Sequence, residues 1–250
     1  VGDELTALDV PALRRRLLRH YDTHARDLPW RGSGDPYAIW VSEVMLQQTR
    51  VETVRERWPR FLARFPDVGA LARAREQSVL KAWEGLGYYR RARALHAAAK
   101  AITREHDGQL PRTYEGLLAL PGFGPYTAAA VGSIAHGSAH AVVDGNVERV
   151  LSRLVALEED ARSAASRRRL QALADALLTP RRPGDWNQAL MDLGATVCTP
   201  RRPRCDACPW QAACRAYALG DPTRYPVRAP RKTIPHHDIA AGIVWRQGRV

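Results

Sequence analysis

Residues 120–127 read Leu-Pro-Gly-Phe-Gly-Pro-Tyr-Thr, and three alanines follow at 128–130. Gly122 and Gly124, one residue apart, permit a tight turn and close approach of another backbone. Pro125 suits the first helical position, where no amide donor is needed. Such a turn aims the free amides of a helix start outward, and that is a phosphate-binding device. L-P-G-x-G-x-x-T followed by an alanine-rich helix therefore reads as a helix-hairpin-helix element, with an ordinary helix–turn–helix connection as the plain alternative.

Outward from this hairpin the chain is patterned as helix. Apolar positions recur at helical spacing in 11–26 (Leu13, Leu17, Leu18, Tyr21), and similar patterns predict helices near 37–48, 50–64, 67–73, 76–84, 90–106, 113–119, 126–136, 145–156, 162–178 and 184–197. LPWRGSGDP (28–36) reads as a loop from its Pro and Gly content. The fold class expected is all-α. The character changes after Cys214. Residues 221–235 hold four prolines among basic residues and read as a linker lying along a surface. HDIAAGIVWRQGRV (237–250) has strand-like content with a Gln247-Gly248 turn signal, and is expected to open a further, β-containing domain.

The charge balance is 38 − 26 = +12, with a pI near 10.2. Such an excess attracts a polyanion. No stretch has the apolar length of a membrane helix and no secretory leader pattern is present, so nucleic acid is the expected partner and membrane is not. A cytoplasmic location is expected, on the nucleoid in a bacterium. Only Lys81, Lys100 and Lys232 are lysines; the other basic residues are arginines.

All four cysteines fall in one stretch, Cys198, Cys205, Cys208 and Cys214, spaced C-x6-C-x2-C-x5-C. Clustering of this kind points to a metal site rather than a disulfide scaffold. Four thiolates so placed suit a tetrahedral zinc or a cubane iron–sulfur cluster, and the long gaps favour the larger object. TPRRPR (199–204) is an arginine–proline loop pinned at both ends by cysteines, able to present Arg201, Arg202 and Arg204 to phosphates at little entropic cost.

The combination of SEVMLQQT (42–49), GLGYY (85–89), LPGFGPYTAAA (120–130), VVDGNV (142–147), NQALMDLGA (187–195) and the cysteine cluster resembles the adenine DNA glycosylase family, within the superfamily of endonuclease III. The resemblance covers about residues 10–225. It implies a six-helix barrel domain (31–136) carrying the hairpin and a helical domain (1–30 with 137–220) bearing one 4Fe–4S cluster, the two flanking a cleft. Residues 221–236 would be a linker and 237–250 the first strand of a Nudix-like domain. The implied activity is monofunctional base excision: hydrolysis of the N-glycosidic bond of adenine opposite 8-oxoguanine or guanine in duplex DNA, by a monomer.

Breaking that bond expels a poor leaving group and leaves positive charge on the sugar, so two carboxyl groups in different environments are wanted. Glu43 is flanked by Ile39, Trp40, Val41, Met45 and Leu46, a setting that raises a carboxyl pKa; taken alone it reads equally as a solvated surface acid. The resemblance makes it the acid that protonates adenine N7. Asp144 precedes Gly145-Asn146 at a helix start, where an Asp is ordinarily an N-cap. The resemblance places it beside the sugar C1′, stabilising the oxacarbenium ion or bonding to it transiently. Asn146 would orient the base or a water.

Further roles follow from the same resemblance. Leu28, Trp30, Arg31, Leu46 and Gln188 would line the adenine pocket. Gln48 and Tyr88 would wedge the duplex open beside the damaged guanine, with Thr49 and Leu86 in contact with it. Gly122, Gly124, Tyr126 and Thr127 would meet phosphate at the hairpin. Trp30 and Tyr88 also read as core aromatics, and Gln48 as a solvated helix end. At position 126 the strand-cleaving relatives carry a lysine; Tyr126 departs from that pattern. The competing readings are a bifunctional pyrimidine glycosylase with lyase activity, a non-enzymatic hairpin module with structural zinc, and an electron carrier.

Overall fold

In the computed structural model, residues 8–230 are described. They form helices α1 (Val10–His24), α2 (Pro36–Leu46), α3 (Val51–Arg64), α4 (Val68–Arg73), α5 (Glu76–Ala82), α6 (Arg90–Glu105), α7 (Tyr114–Leu118), α8 (Pro125–His136), α9 (Gly145–Val155), α10 (Ala164–Leu177), α11 (Pro183–Asp192) and α12 (Arg215–Ala218). Among the described residues there is no strand, as the all-α reading expects. The strand expected at 237–250 lies outside the described residues, as does 231–236 of the linker.

Two apolar cores organise the chain. The first gathers α2 to α8 around Trp40, Val54, Phe61, Leu71, Trp83, Leu95 and Ile102. Its centre is α2, in which Tyr37 to Met45 are buried without a break. A helix apolar on all sides belongs in the middle of a domain, whereas α3 buries only Val54, Trp58 and Phe61 at the spacing of one face. Leu28 and Trp30 pack in this core, although the sequence division at residue 30 assigned them to the other domain. The second core joins α1, α9, α10 and α11 through Leu13, Leu17, Leu151, Leu154, Leu170, Leu173, Trp186 and Leu190. Trp210 seals it from the cysteine segment, donating from Nε1 to the Leu13 carbonyl at 3.0 Å.

The helix expected over 184–197 is not regular throughout. It runs as α11 to Asp192 and then widens into a π-helical turn over Leu193–Val197. The buried Arg149 packs against this turn, donating to the Gly194 carbonyl at 2.6 Å and to the carbonyl of Cys198 just past its end at 2.7 Å. Residues 221–230 run largely exposed along the surface and are anchored there by Tyr225. Tyr225 is buried, its carbonyl accepts from Arg153 Nε at 3.0 Å, and its hydroxyl donates to Glu158 at 2.6 Å.

Candidate active site

The hairpin brings its glycines to work in different ways. At Gly122 φ is +76°, and a Cβ there would lie 2.5 Å from the Ala94 Cβ of α6, so both conformation and space demand glycine. Gly124 has open space where a Cβ would stand, and it caps α8, whose Pro125 occupies the first turn. The first-turn amides of α8 have no carbonyl within the helix to bind. Thr127 is a partial correction to the phosphate-contact expectation. Its side chain is buried and its hydroxyl accepts from Gln47 Nε2 at 3.0 Å, which ties the hairpin helix to the end of α2. Only its backbone remains for an external anion.

Between the two cores lies a cavity of about 230 Å³, lined by Leu28, Trp30, Arg31, Glu43, Leu46, Thr49, Tyr126, Asp144, Asn146 and Gln188 together with Arg26, Val51, Met191 and Ala195. All five residues expected in the base pocket are thus in one wall. Trp30 serves as core and lining at once.

Glu43 is 5% exposed because α2 has no solvent face on which to place it. Burial raises its carboxyl pKa to about 7; the hydrogen bond from Tyr126 opposes the rise, the charge of Asp144 adds to it, and Arg31 opposes it. The Tyr126 hydroxyl donates to Glu43 Oε2 at 3.1 Å and lies 3.7 Å from the Met191 sulfur. Burial, with Glu43 and Asp144 nearby, keeps that phenol protonated. The surface-acid reading of Glu43 therefore fails.

Asp144 is the N-cap of α9. Its Oδ1 accepts from the amides of Asn146 at 2.9 Å and Val147 at 2.7 Å, and its Oδ2 accepts from Asn146 Nδ2 at 2.9 Å. Asn146 is held in turn by Arg149 Nη2, which donates to its Oδ1 at 2.9 Å. The N-cap role and a place in the cavity wall are both present.

Two supports escaped the reading of the sequence. Asp192, 5% exposed, accepts from Arg31 at 2.5 and 2.7 Å and from Arg26 Nε at 2.6 Å, clamping the 25–34 loop to α11. Burial alone would raise this carboxyl; the two guanidiniums overcome it and hold the pKa below the ordinary range. Asn187, fully buried, accepts from the Val142 amide at 3.0 Å and donates to Ser133 Oγ and the His140 carbonyl, both at 2.9 Å. It fixes the strap that delivers Asp144. Both sit inside the quoted NQALMDLGA motif, but their partners lie 45 or more positions away, beyond any local pattern.

A groove beside the cavity runs past Gln48, Tyr88, Arg90, Arg91, Gly122, Gly124 and Gly145. Tyr88 is 55% exposed, so the core-aromatic reading fails. Gln48 and Tyr88 both have positive φ, +58° and +46°. Leu86 turns its side chain into the barrel core and its carbonyl toward Thr49 Oγ1, 3.2 Å away.

The four cysteines line one hollow with Arg153, Val197, Arg204 and Tyr217. Among the described residues no three His, Cys, Asp or Glu side chains are placed to hold a single metal ion. Burial pushes the Cys208 thiol up to about 12 and raises Cys205 and Cys214, so it is a bound metal centre that would make these groups thiolates. Arg153, 2% exposed, donates to Cys198 Sγ at 3.3 Å and to the Thr199 and Pro200 carbonyls at 2.8 Å each, holding the arginine loop at its root. Arg201 and Arg202 project from it, exposed, whereas Arg204, though exposed, turns back to donate to the Thr196 carbonyl at 2.9 Å. The residues fit a polynuclear cluster with a charge-assisted donor at one sulfur.

Comparison with known proteins agrees with this geometry. Residues 41–175 match the family described as HhH-GPD superfamily base excision DNA repair protein. The chain is 49% identical over 218 residues to the adenine DNA glycosylase of Mus musculus, covering 84% of this chain and 42% of that protein. It is 46% identical over 207 residues to the adenine DNA glycosylase of Mycolicibacterium smegmatis, covering 82% and 70%. The chain thus spans less than half the length of its mammalian relatives. Among solved structures, a thermostable thymine-DNA glycosylase superposes with a TM-score of 0.77 at 29% identity, covering 84% of this chain and 97% of that one. A non-covalent endonuclease III–DNA complex gives 0.70 at 20%, covering 85% and 98%, a likeness of fold. The chain belongs to the HhH-GPD superfamily of base excision DNA repair proteins and, within it, to the adenine DNA glycosylase family.

Proposed function

We propose that this chain carries the catalytic centre of a monofunctional DNA glycosylase that removes adenine mispaired with 8-oxoguanine or guanine in duplex DNA. The carrying observation is the pair of unlike carboxyls in one cavity wall: Glu43, buried and raised to about 7, and Asp144, held by three amide donors at a helix start. Their environments divide the work between an acid and a cation stabiliser.

A base inside a duplex is out of reach, so it must leave the stack and enter the cavity. Protonated Glu43 donates its proton to N7 of the adenine, and Tyr126 remains bonded to the other side of the exchange. The C1′–N9 bond then breaks, its electron pair going to the N7-protonated purine, which leaves as neutral adenine. Asp144 faces the oxacarbenium ion left on the sugar, and addition of water at C1′ with loss of a proton completes hydrolysis. Asn146, fixed between Asp144 and Arg149, orients the carboxylate. The cavity lining contains no lysine, which a Schiff-base lyase needs. Cys198, Cys205, Cys208 and Cys214 would hold one 4Fe–4S cluster, which supplies an architectural anchor for the arginine loop. The exposed arginines and hairpin amides meet the phosphates. No described helix is long and apolar enough to cross a membrane. A monomer acting on chromosomal DNA in the cytoplasm fits this picture.

The test is single-turnover incubation with a duplex bearing one adenine:8-oxoguanine pair. Free adenine and a strand that breaks only after hot alkali are expected. Absence of adenine release, or scission without alkali, overturns the reading.

A further inference from the structure

The Arg91 guanidinium lies at the junction of two loops that the mechanism uses but does not explain. It is 7% exposed. Nη1 donates to the carbonyls of Val44 at 2.9 Å, Met45 at 3.0 Å and Gln47, the last carbonyls of α2. Nη2 donates to Thr49 Oγ1 at 2.9 Å, the Leu86 carbonyl at 2.8 Å and the Gly87 carbonyl at 3.3 Å. Its carbon sits 5.4 Å from the Trp83 ring centre and 5.7 Å from that of Tyr88. One planar cation therefore clasps the 46–50 turn to the 85–89 turn.

Each turn carries a residue in a conformation that its own chemistry disfavours. Gln48 and Tyr88, neither of them glycine, lie at positive φ. Such residues persist only where the surroundings over-determine them. Among the described residues, Thr49 alone adds a further side-chain hydrogen bond between the two turns, and it is itself held by Arg91.

We propose that Arg91 is a positioning residue for base extrusion: it holds Gln48 and Tyr88 preformed as a paired wedge, so that opening the duplex does not require ordering the two turns first. This rests on the glycosylase reading above and adds to it a residue that touches neither the base nor the reacting atoms. The role predicts a split by substrate. Adenine with no partner, as a single-nucleotide bulge, leaves the stack at lower cost and leans less on the wedge than adenine in a pair. Lysine keeps the charge but cannot serve both turns in one plane.

The experiment compares wild type with Arg91→Lys by single-turnover adenine release from a paired and a bulged duplex, and by fluorescence of 2-aminopurine in place of the adenine. The variant is expected to lose at least about tenfold more on the paired than on the bulged substrate, with a matching drop in the 2-aminopurine unstacking signal. Hydrogen exchange should rise in 46–50 and 85–89. Equal loss on both substrates, or no loss on the paired one, overturns the proposal. Should Arg91→Lys fail to fold, Arg91→Gln, which keeps a planar amide donor, carries the same comparison; failure of both makes Arg91 a fold residue only and also overturns it. A wild-type protein inactive on both duplexes overturns the glycosylase reading instead, whereas one active on the pair and inactive on the bulge overturns the proposal.

Discussion

The Tyr126 hydroxyl and the Glu43 carboxyl meet at 3.1 Å where the hairpin helix crosses the buried helix α2. This contact couples the hairpin to the proposed proton donor. A mixed-charge setting fixes how that proton responds to pH, and the first two measurements follow from it.

A donor must be protonated to act, and burial lifts the Glu43 pKa to about 7. Single-turnover adenine release is therefore expected to be full below that pH and to fall by about tenfold per unit above it. Glu43→Gln should abolish release and leave mispair affinity within about threefold, because phosphate contacts dominate binding. A variant that still releases adenine at near-wild-type rate assigns the acid elsewhere.

The same shift has a stability consequence. Folded, Glu43 keeps its proton to about 7; unfolded, it loses it near 4.5. The folded state thus binds more protons between those values, stability declines as pH rises through the window, and the full penalty stands above it. Glu43→Gln removes the penalty. Urea unfolding at pH 8 should show the variant more stable by about 1–3 kcal/mol, and the two proteins should converge at pH 4. A variant less stable than wild type at pH 8 contradicts the buried placement.

Asp144 is both cap and cavity wall, and two substitutions separate the roles. Asparagine caps a helix about as well as aspartate, whereas alanine forfeits about 1 kcal/mol. Asp144→Asn should keep the thermal midpoint near wild type while lowering adenine release by about a thousandfold, since a neutral amide does not stabilise a cation. Asp144→Ala should lose both. Retained excision in Asp144→Asn leaves only the cap.

How much of this was legible in the sequence differs from residue to residue. The hairpin was plain at 120–130 because its glycines and Pro125 act locally, and the cysteine spacing was plain for the same reason. Glu43 was ambiguous. Its neighbours could not show that α2 is buried on every side, which depends on α3, α6 and α8 packing against it. The family resemblance, not the local pattern, singled it out. Asp192, Asn187 and Arg91 were not found at all, since each draws its meaning from carbonyls and guanidiniums dozens of positions away. The π turn at Leu193–Val197 was read as plain helix, because its partner Arg149 comes from α9, 45 positions away.

The cysteine hollow predicts metal content and a link to DNA affinity. Purified protein should hold four irons and four sulfides per chain. Cys208→Ser should lose them, release the loop carrying Arg201, Arg202 and Arg204, and lower duplex affinity by about tenfold with a shallower salt dependence. A colourless protein with stoichiometric zinc, prepared without oxygen, removes the iron–sulfur assignment.

Position 126 decides between base release alone and strand scission. A Schiff-base lyase needs an unprotonated amine that can reach the sugar carbon, and a protonated phenol is no substitute for it. Tyr126 stands in the cavity wall with Asp144 and Glu43, so an amine introduced there enters the same space. Tyr126→Lys should therefore do two separable things. It should slow adenine release, because Glu43 loses its 3.1 Å hydroxyl partner and gains a nearby cation that favours the ionised carboxylate over the proton donor. It should also create a covalent adduct with the abasic product that borohydride traps, and a fraction of strands broken without alkali. The wild-type protein, treated in the same way, should trap poorly and nick only after alkali. If wild type already forms the adduct efficiently, another amine reaches C1′ and the assignment as a base-releasing enzyme alone gives way to a bifunctional one.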